Sequence, residues 1–183
     1  SDNQNIGFTY SKRIRRPGFF DLNPYIWYDD PLNLSTGNPF LEAELADLLE
    51  LSHEWTNNTL QITTTLFRGK TSNSIQEIIR LVDQKSIRSP DNFTSTLSEG
   101  VEMMIGLKAF TFWTINAQFS AFHQSFEAQN PELILQNNQS TWSARLEQKW
   151  KLADDWRVQL VGKYRAPRIN PQSILLEQYY FDL

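Results

Sequence analysis

The sequence predicts an all-β fold: an antiparallel meander of about eight strands that forms part of a large transmembrane β-barrel. Three observations carry this. From Thr141 to Leu152 the residues alternate, Trp142, Ala144, Leu146 and Trp150 on one side against Ser143, Arg145, Glu147, Lys149 and Lys151 on the other. After a polar turn at Ala153, Asp154 and Asp155 the pattern repeats, Trp156, Val158, Leu160, Gly162 and Tyr164 opposing Arg157, Gln159, Lys163 and Arg165. This is a hairpin with one apolar and one polar face, each arm close to the ~9–11 residues that a tilted strand needs to cross a bilayer. Second, long and short connections alternate along the chain, as in outer-membrane barrels. Third, proline and tryptophan segregate to opposite ends of the strands.

The strands are expected in this order: Asn5 to Lys12; Leu48 to Thr56; Thr59 to about Val82, interrupted at Gly69 to Ser74; Asn92 to Leu107; Thr111 to Glu127; Gln139 to Leu152; Trp156 to Ala166; and Gln172 to Leu183. That makes about eight strands. The long connections are Arg13 to Asp47, Asp83 to Asp91, Ala128 to Asn138 and Pro167 to Pro171; the short ones are Asn57-Asn58, Lys108-Ala109-Phe110 and Ala153 to Asp155. Proline cannot donate to a ladder and avoids strand interiors. All 8 prolines (Pro17, Pro24, Pro31, Pro39, Pro90, Pro131, Pro167, Pro171) fall in the long connections of this scheme. Trp55, Trp113, Trp150 and Trp156 lie beside the short turns, which places them in one interfacial ring.

One stretch conflicts with the scheme. Asn38 to Leu51 carries an N-cap residue, a proline at the first helical position and leucines at helical spacing, so propensity predicts a helical turn in its first half. Strand alternation is expected only from about Leu48, where Leu49, Leu51, His53 and Trp55 alternate with Glu50, Ser52 and Glu54.

Composition fits a barrel. Hydrophobic residues make up 40%, yet mean hydropathy is -0.48 and no run approaches the ~18 apolar residues of a membrane helix. A barrel uses every second residue for lipid and so reads as polar on average. Aromatics at 13% suit interfacial girdles. With no cysteine, disulfides, thiol catalysis and cysteine-held metals are excluded. A net charge of -4 argues against nucleic acid as a partner. The polar start Ser1 to Asn5 is not a signal peptide, and Tyr179 to Leu183 stops within an expected strand, so both ends read as cut.

The first fifty residues carry an ordered cluster: Tyr10-Ser11-Lys12-Arg13-Ile14-Arg15-Arg16-Pro17, Asp21-Leu22-Asn23-Pro24-Tyr25, Asp30-Pro31, Gly37-Asn38-Pro39-Phe40-Leu41 with Glu44, and Glu50-Leu51. It resembles the corresponding run of the TonB-dependent outer-membrane receptors of Bacteroidetes, in the outer-membrane β-barrel family. Asn92 and Gly100-Val101-Glu102 extend the likeness; Ala43 stands where that family usually has proline. The resemblance implies that residues 1–183 are a partial barrel domain from the C-terminal half of a receptor in the bacterial outer membrane. The plug domain and remaining strands would lie outside this chain. It further implies energised uptake of a large solute (siderophore, glycan or peptide), a TonB-type energy transducer acting through the missing plug, outer-membrane lipid around the barrel, and a surface lipoprotein as a further partner. An isolated segment with unpaired edges would self-associate through them.

No enzyme is expected. His53 and His123 have neighbours such as Glu54, Gln124 and Ser125, but no nucleophile-elbow, zinc-binding or phosphate-loop pattern occurs, and no cofactor is implied. Glu42, Glu44, Asp47 and Glu50 lack the dense ligand spacing of a calcium loop and read as a solvated acidic stretch. Arg145, Lys149, Arg157, Lys163 and Arg165, with Glu102 and Glu147, would project into the lumen, where mutual neutralisation is the favoured reading and contact with plug or solute the functional one. Phe19, Phe20, Tyr25, Trp27 and Tyr28 crowd one long connection; loop packing is favoured, and Tyr25, Trp27 and Tyr28 are the candidate ligand contacts. The alternative to transport is a soluble antiparallel β-sandwich or barrel serving as a ligand-binding module. The two differ in whether Trp142, Leu146, Trp150, Val158 and Leu160 meet lipid or a buried core.

Overall fold

The computed structural model describes residues 3–127, 138–170 and 173–183. Strand β1 (Asn3–Arg15) leads into a long loop holding one helical turn, α1 (Phe19–Leu22), and a small hairpin, β2 (Ile26–Tyr28) and β3 (Asn33–Thr36). Then come β4 (Glu44–Thr56), β5 (Leu60–Val82), β6 (Lys85–Phe110), β7 (Trp113–Glu127), β8 (Asn138–Lys151) and β9 (Arg157–Arg165). The short β10 (Arg168–Asn170) and β11 (Ser173–Leu175) pair with each other, and β12 (Gln178–Asp182) closes the series. Eight strands form the main path of one ten-stranded sheet in the order β1-β4-β5-β6-β7-β8-β9-β12, each antiparallel to its neighbours along that path, with β1 and β12 at its edges and β2 and β3 joined to it through β6. The expected meander of eight principal strands is what forms.

Local chemistry sets the turns. At the β4–β5 turn the Asn57 carboxamide oxygen accepts from the amides of Thr59 (2.9 Å) and Leu60 (2.8 Å), a side chain standing in for backbone. At the β5–β6 turn Asp83 and Gln84 both take positive φ (49° and 64°), the primed geometry whose twist matches a two-residue hairpin.

Register gives the sheet two unlike faces. One row runs Phe8, Leu51, Leu66, Val101, Ala121, Trp142; the next runs Ile6, His53, Thr64, Met103, Phe119, Ala144, Tyr164; a third runs Trp55, Ile62, Ile105, Ala117, Leu146, Gly162. On the other face lie Glu102, Gln118, Ser120, Arg145, Glu147, Lys149 and Lys163. All of Trp113, Ile115, Phe119, Val101, Met103, Ile105, Trp142, Leu146, Trp150, Val158 and Leu160 share the apolar face. On β8 the band is bracketed by Trp142 and Trp150, separated by roughly 20 Å of depth at the usual strand rise and tilt, close to the apolar height of an outer-membrane barrel. The face is open: Phe8 is 68% exposed and Leu66 52%. A soluble sandwich would need a second layer over these residues, and the described strands supply none.

Four expectations need correction. Asp83 to Asp91 is not a long loop: the strands continue past the membrane band to the two-residue turn, and Pro90 lies inside β6 opposite Glu77. Proline is tolerated there because β6 has left β3 after Arg88 and does not meet β7 until Ser95, so one edge has no ladder to complete. Gly69 to Ser74 does not interrupt β5; only Asn73 departs, with φ of 53°, a conformation asparagine accepts. The helical turn expected after Asn38 does not form: Pro39 and Phe40 make a bare turn and β4 begins at Glu44, pairing with Arg15. Pairing on both edges of β4 overrides a helix propensity worth tenths of a kcal/mol per residue. Finally, the C-terminal strand is divided, β11 turning back on β10 before β12 joins β9. Pro131 and Pro171 lie outside the described residues.

Beyond the band at the long-connection end, the β5–β6 extension builds a small core from Leu34, Leu41, Ile75, Ile78, Phe93 and Phe126. β3 adds to β6 in parallel, Asn33 to Ser35 against Ser86 to Arg88.

At Gly100 the neighbouring β7 leaves no room for a side chain. A Cβ there would stand 2.4 Å from the Ala121 carbonyl oxygen and 2.6 Å from Phe122 Cβ, and neither can move without opening the ladder. Gly100→Val is therefore expected to destabilise the barrel by about 2–3 kcal/mol, whereas Gly106→Ala, whose Cβ would meet only Asn116 Oδ1 at 3.7 Å, should be near neutral. Urea unfolding of protein refolded into lipid vesicles measures both.

Candidate functional site: a charged wall and an aromatic loop

Alternation on β8 and β9 sends Arg145, Lys149, Lys163 and Arg165 to the polar face with Glu147. Glu147 accepts an ion pair from Arg145 at 2.7 Å and one from Lys149 at 2.5 Å, so part of the wall neutralises itself as expected. Arg157 shares this face but opposes Lys151. Lys163 lies over the Tyr180 ring of β12, 5.2 Å from its centroid. Glu102, Gln118, Arg145, Lys163, Arg165 and Tyr180 line a groove of ≈ 950 Å³ with two kinds of handle, cationic groups and an aromatic ring.

The loop between β1 and β4 is an ordered structure. Asp30 accepts from the Asn33 side chain (2.7 Å), from Leu32 N (2.8 Å) and from Asn33 N (2.9 Å); the Asn33 bond foremost, then the amides, hold its carboxyl below the ordinary carboxylate range. The returning arm is tied to the extension: Glu42 N donates to Asn92 Oδ1 (2.8 Å), Asn73 Nδ2 donates to the Glu42 carboxylate (2.8 Å), and Ile75 N donates to Glu44 (3.0 Å). Asn92 has the register parity of the polar face, so this arm crosses on the lumenal side.

That scaffold presents a chain of rings. Phe19 and Phe20 meet edge to face at 5.6 Å, Phe20 lies 6.3 Å from Trp27, and Tyr25 meets Trp27 at 5.6 Å. The rings pack on each other rather than beneath the loop: Phe19 stays 74% exposed and Tyr25 65%. Of the three candidate contacts, Tyr25 and Trp27 come together. Tyr28 does not join these rings, because it follows Trp27 on β2 and alternation turns it away. Phe19 and Phe20 replace it, brought in by α1, which a four-residue helix gives no periodicity to detect.

The remaining candidates disperse. Glu42 and Glu44 serve the loop ties, Asp47 pairs with Tyr10 (2.6 Å) and Lys12 (4.0 Å) on the opposite face, and Glu50 opposes Thr9. His53 and His123 fall on the apolar face, His123 Nδ1 3.0 Å from Ser140 Oγ. No three acidic or histidine side chains converge as a metal site among the described residues.

A one-layer antiparallel sheet with an uncovered apolar face, tryptophans at both margins and a charged inner wall defines a membrane β-barrel segment. The chain belongs to the outer membrane protein β-barrel family, whose model matches residues 1–183, and its place is the outer membrane. Among solved structures it is similar to the copper transporter OprC (TM-score 0.71, 13% identity, covering 97% of this chain and 28% of that one). It is also similar to the ferric enterobactin receptor PfeA of Pseudomonas aeruginosa (TM-score 0.64, 18% identity, 96% and 29%) and to the siderophore receptor PirA of the same species (TM-score 0.55, 16% identity, 97% and 38%). The chain thus spans well under half the length of these structures. No curated protein sequence matches it.

Proposed function

We propose that this chain is the barrel segment of a TonB-dependent receptor of the Bacteroidetes type, working in energised uptake of a large solute. The observation that carries the reading is the sheet itself, apolar and open on one face, charged on the other, and superposable on parts of receptors and a transporter. On this reading the plug domain and remaining strands lie outside residues 1–183, a TonB-type transducer acts through that plug, and a surface lipoprotein docks near the exposed loops. The aromatic chain Phe19, Phe20, Tyr25 and Trp27 is a first contact for solute at the barrel mouth, because rigid exposed rings bind with little loss of side-chain freedom.

The test is growth. A receptor-deletion strain carrying the intact receptor should recover uptake of one member of a panel of siderophores, glycans and peptides. The Tyr25→Ala, Trp27→Ala double variant should raise the half-saturating concentration about tenfold, equivalent to about 1.4 kcal/mol. The 183-residue segment alone should restore nothing, since its β1 and β12 edges are unpaired in lipid and would associate or aggregate. Growth restored by that segment would refute the reading, as would unchanged half-saturation in the double variant for the loop assignment.

A further inference from the structure

Above the membrane band the loop hairpin extends the sheet. β3 takes the edge of β6 that β7 takes lower down, and β2 adds to β3, so the upper sheet runs β5-β6-β3-β2 and ends at β2. In an antiparallel pair, successive residues alternate between exchanging both backbone bonds with the partner strand and turning them away from it. Asp29 N donates to Asn33 O (3.0 Å), and two residues back Trp27 stands opposite Ser35 in the same phase. Ile26 and Tyr28 therefore direct their N–H and C=O groups to the outer edge, where nothing pairs with them among the described residues. Both are open to solvent, Ile26 at 44% and Tyr28 at 70%.

Such an edge is a template for another chain. It presents a donor and an acceptor at Tyr28 and again at Ile26, about 7 Å apart at the usual strand rise. An extended peptide repeats donor and acceptor at that spacing; the hydroxyls of a glycan and the metal-binding oxygens of a siderophore do not. Two neighbouring features fit the same occupant. A chain antiparallel to β2 would set the residue opposite Trp27 in a pair without hydrogen bonds, where side chains approach most closely, and there it meets the rings of Trp27 and Tyr25, 5.6 Å apart. Its amino end would point past Tyr28 toward Asp29. One carboxylate oxygen of Asp29 accepts from Ser35 Oγ (2.7 Å), and the other has no partner among the described residues.

We infer that the outer edge of β2 binds the solute as an added strand: a short peptide, extended and antiparallel to β2, with an apolar side chain beside Trp27 and a free amino terminus toward Asp29. Main-chain bonds at Tyr28 and Ile26 supply affinity without regard to sequence, and the rings and the carboxylate supply selectivity. The inference rests on the solute-uptake reading of the aromatic loop and narrows its solute to the peptide class.

Titration calorimetry of the purified intact receptor in mild detergent with the pentapeptide Ala-Ala-Phe-Ala-Ala tests it. With the second peptide residue opposite Tyr28, the phenylalanine falls opposite Trp27 and the fourth residue opposite Ile26. The same peptide N-methylated on its second and fourth residues keeps every side chain but loses both donors to the edge, and should bind about tenfold more weakly. Acetylating the amino terminus should weaken binding several-fold. Ile26→Pro removes a donor that no other strand uses and sets a ring against the incoming chain, so it should weaken the plain peptide by about tenfold as well. Heat-modifiable migration and wild-type proteolysis of residues 16–43 establish that this variant keeps its barrel and loop. No binding of the plain peptide, or equal binding of the plain and N-methylated peptides by the wild type, would overturn the edge site whatever the proline variant does; equal binding of the acetylated peptide would overturn the role of Asp29. Failure of the uptake reading has a separate signature: the intact receptor restores growth on no member of the solute panel, yet still distinguishes the plain from the N-methylated peptide.

Discussion

Arginine in place of Leu146 is expected to destabilise the folded barrel by about 2–4 kcal/mol, the cost measured for a cation on the lipid face near the bilayer midplane. The position is set by β8 itself. Trp142 and Trp150 mark the two margins of the apolar band on this strand, and Leu146 stands midway between them on the same face, beside Ala117 and Gly162. From there an arginine stem cannot reach either interface without leaving its guanidinium in hydrocarbon. Ser143 belongs to the polar face, beside Ser120 and Arg165, and Ser143→Arg should cost little because water and Glu102, in the same register row and groove, lie on the same wall. Folding equilibria in lipid vesicles measure the pair. Equal penalties at both sites would overturn the assignment of the two faces, and a larger penalty at Ser143 would reverse it.

The two faces were legible in the sequence because alternation at a period of two survives whatever the rest of the barrel does. Trp113, Ile115, Phe119, Val101, Met103, Ile105, Trp142, Leu146, Trp150, Val158 and Leu160 share one face as parity predicts, since a one-residue slip would have exposed Arg145, Glu147 and Lys149 to lipid together, while Trp156 lies just before β9 and outside the ladder. Connection lengths were less legible. Pro90 argued for a loop between Asp83 and Asp91, but proline excludes a strand only where both edges are paired, and that condition depends on where β3 ends and β7 begins. The stretch from Asn38 to Leu51 misled for a related reason: its cap and leucine spacing are local signals, while its strand state comes from pairing with residues 3–15 and 61–72. Of the candidate site, Tyr25 and Trp27 could be found by composition. The tie of Glu42 to Asn73 and Asn92, which makes the loop a platform rather than a tether, joins residues 31 and 50 positions apart and leaves no mark in the local sequence.

The motif residue Gly37 shows what holds that platform. Its φ is not in the left-handed region, so conformational freedom does not explain it. Close approach does. A Cβ on Gly37 would stand 2.6 Å from the carbonyl oxygens of both Asn23 and Phe20 and 2.7 Å from that of Asp21, three backbone groups at the end of α1. The chain is drawn in by Gly37 N donating to Asn23 O (2.9 Å), by Asn38 N donating to Asp21 O (2.6 Å) and by Thr36 Oγ1 donating to Pro24 O (3.1 Å). A methyl group must push these apart. Losing the two backbone bonds, at about 1 kcal/mol each, frees α1 from the returning arm and with it the contact of Phe20 with Trp27. Gly37→Ala is therefore expected to lower the local stability of the loop by about 2 kcal/mol, or roughly thirtyfold in its opening equilibrium, while the barrel strands keep theirs. Limited proteolysis of the intact receptor on cells would show cleavage within residues 16–43 rising by that factor, with heat-modifiable migration unchanged and the solute half-saturation raised as in the Tyr25→Ala, Trp27→Ala variant. Cleavage at the wild-type rate would show that the loop tolerates the displacement, and that its rings are positioned by the Glu42, Asn73 and Asn92 ties alone.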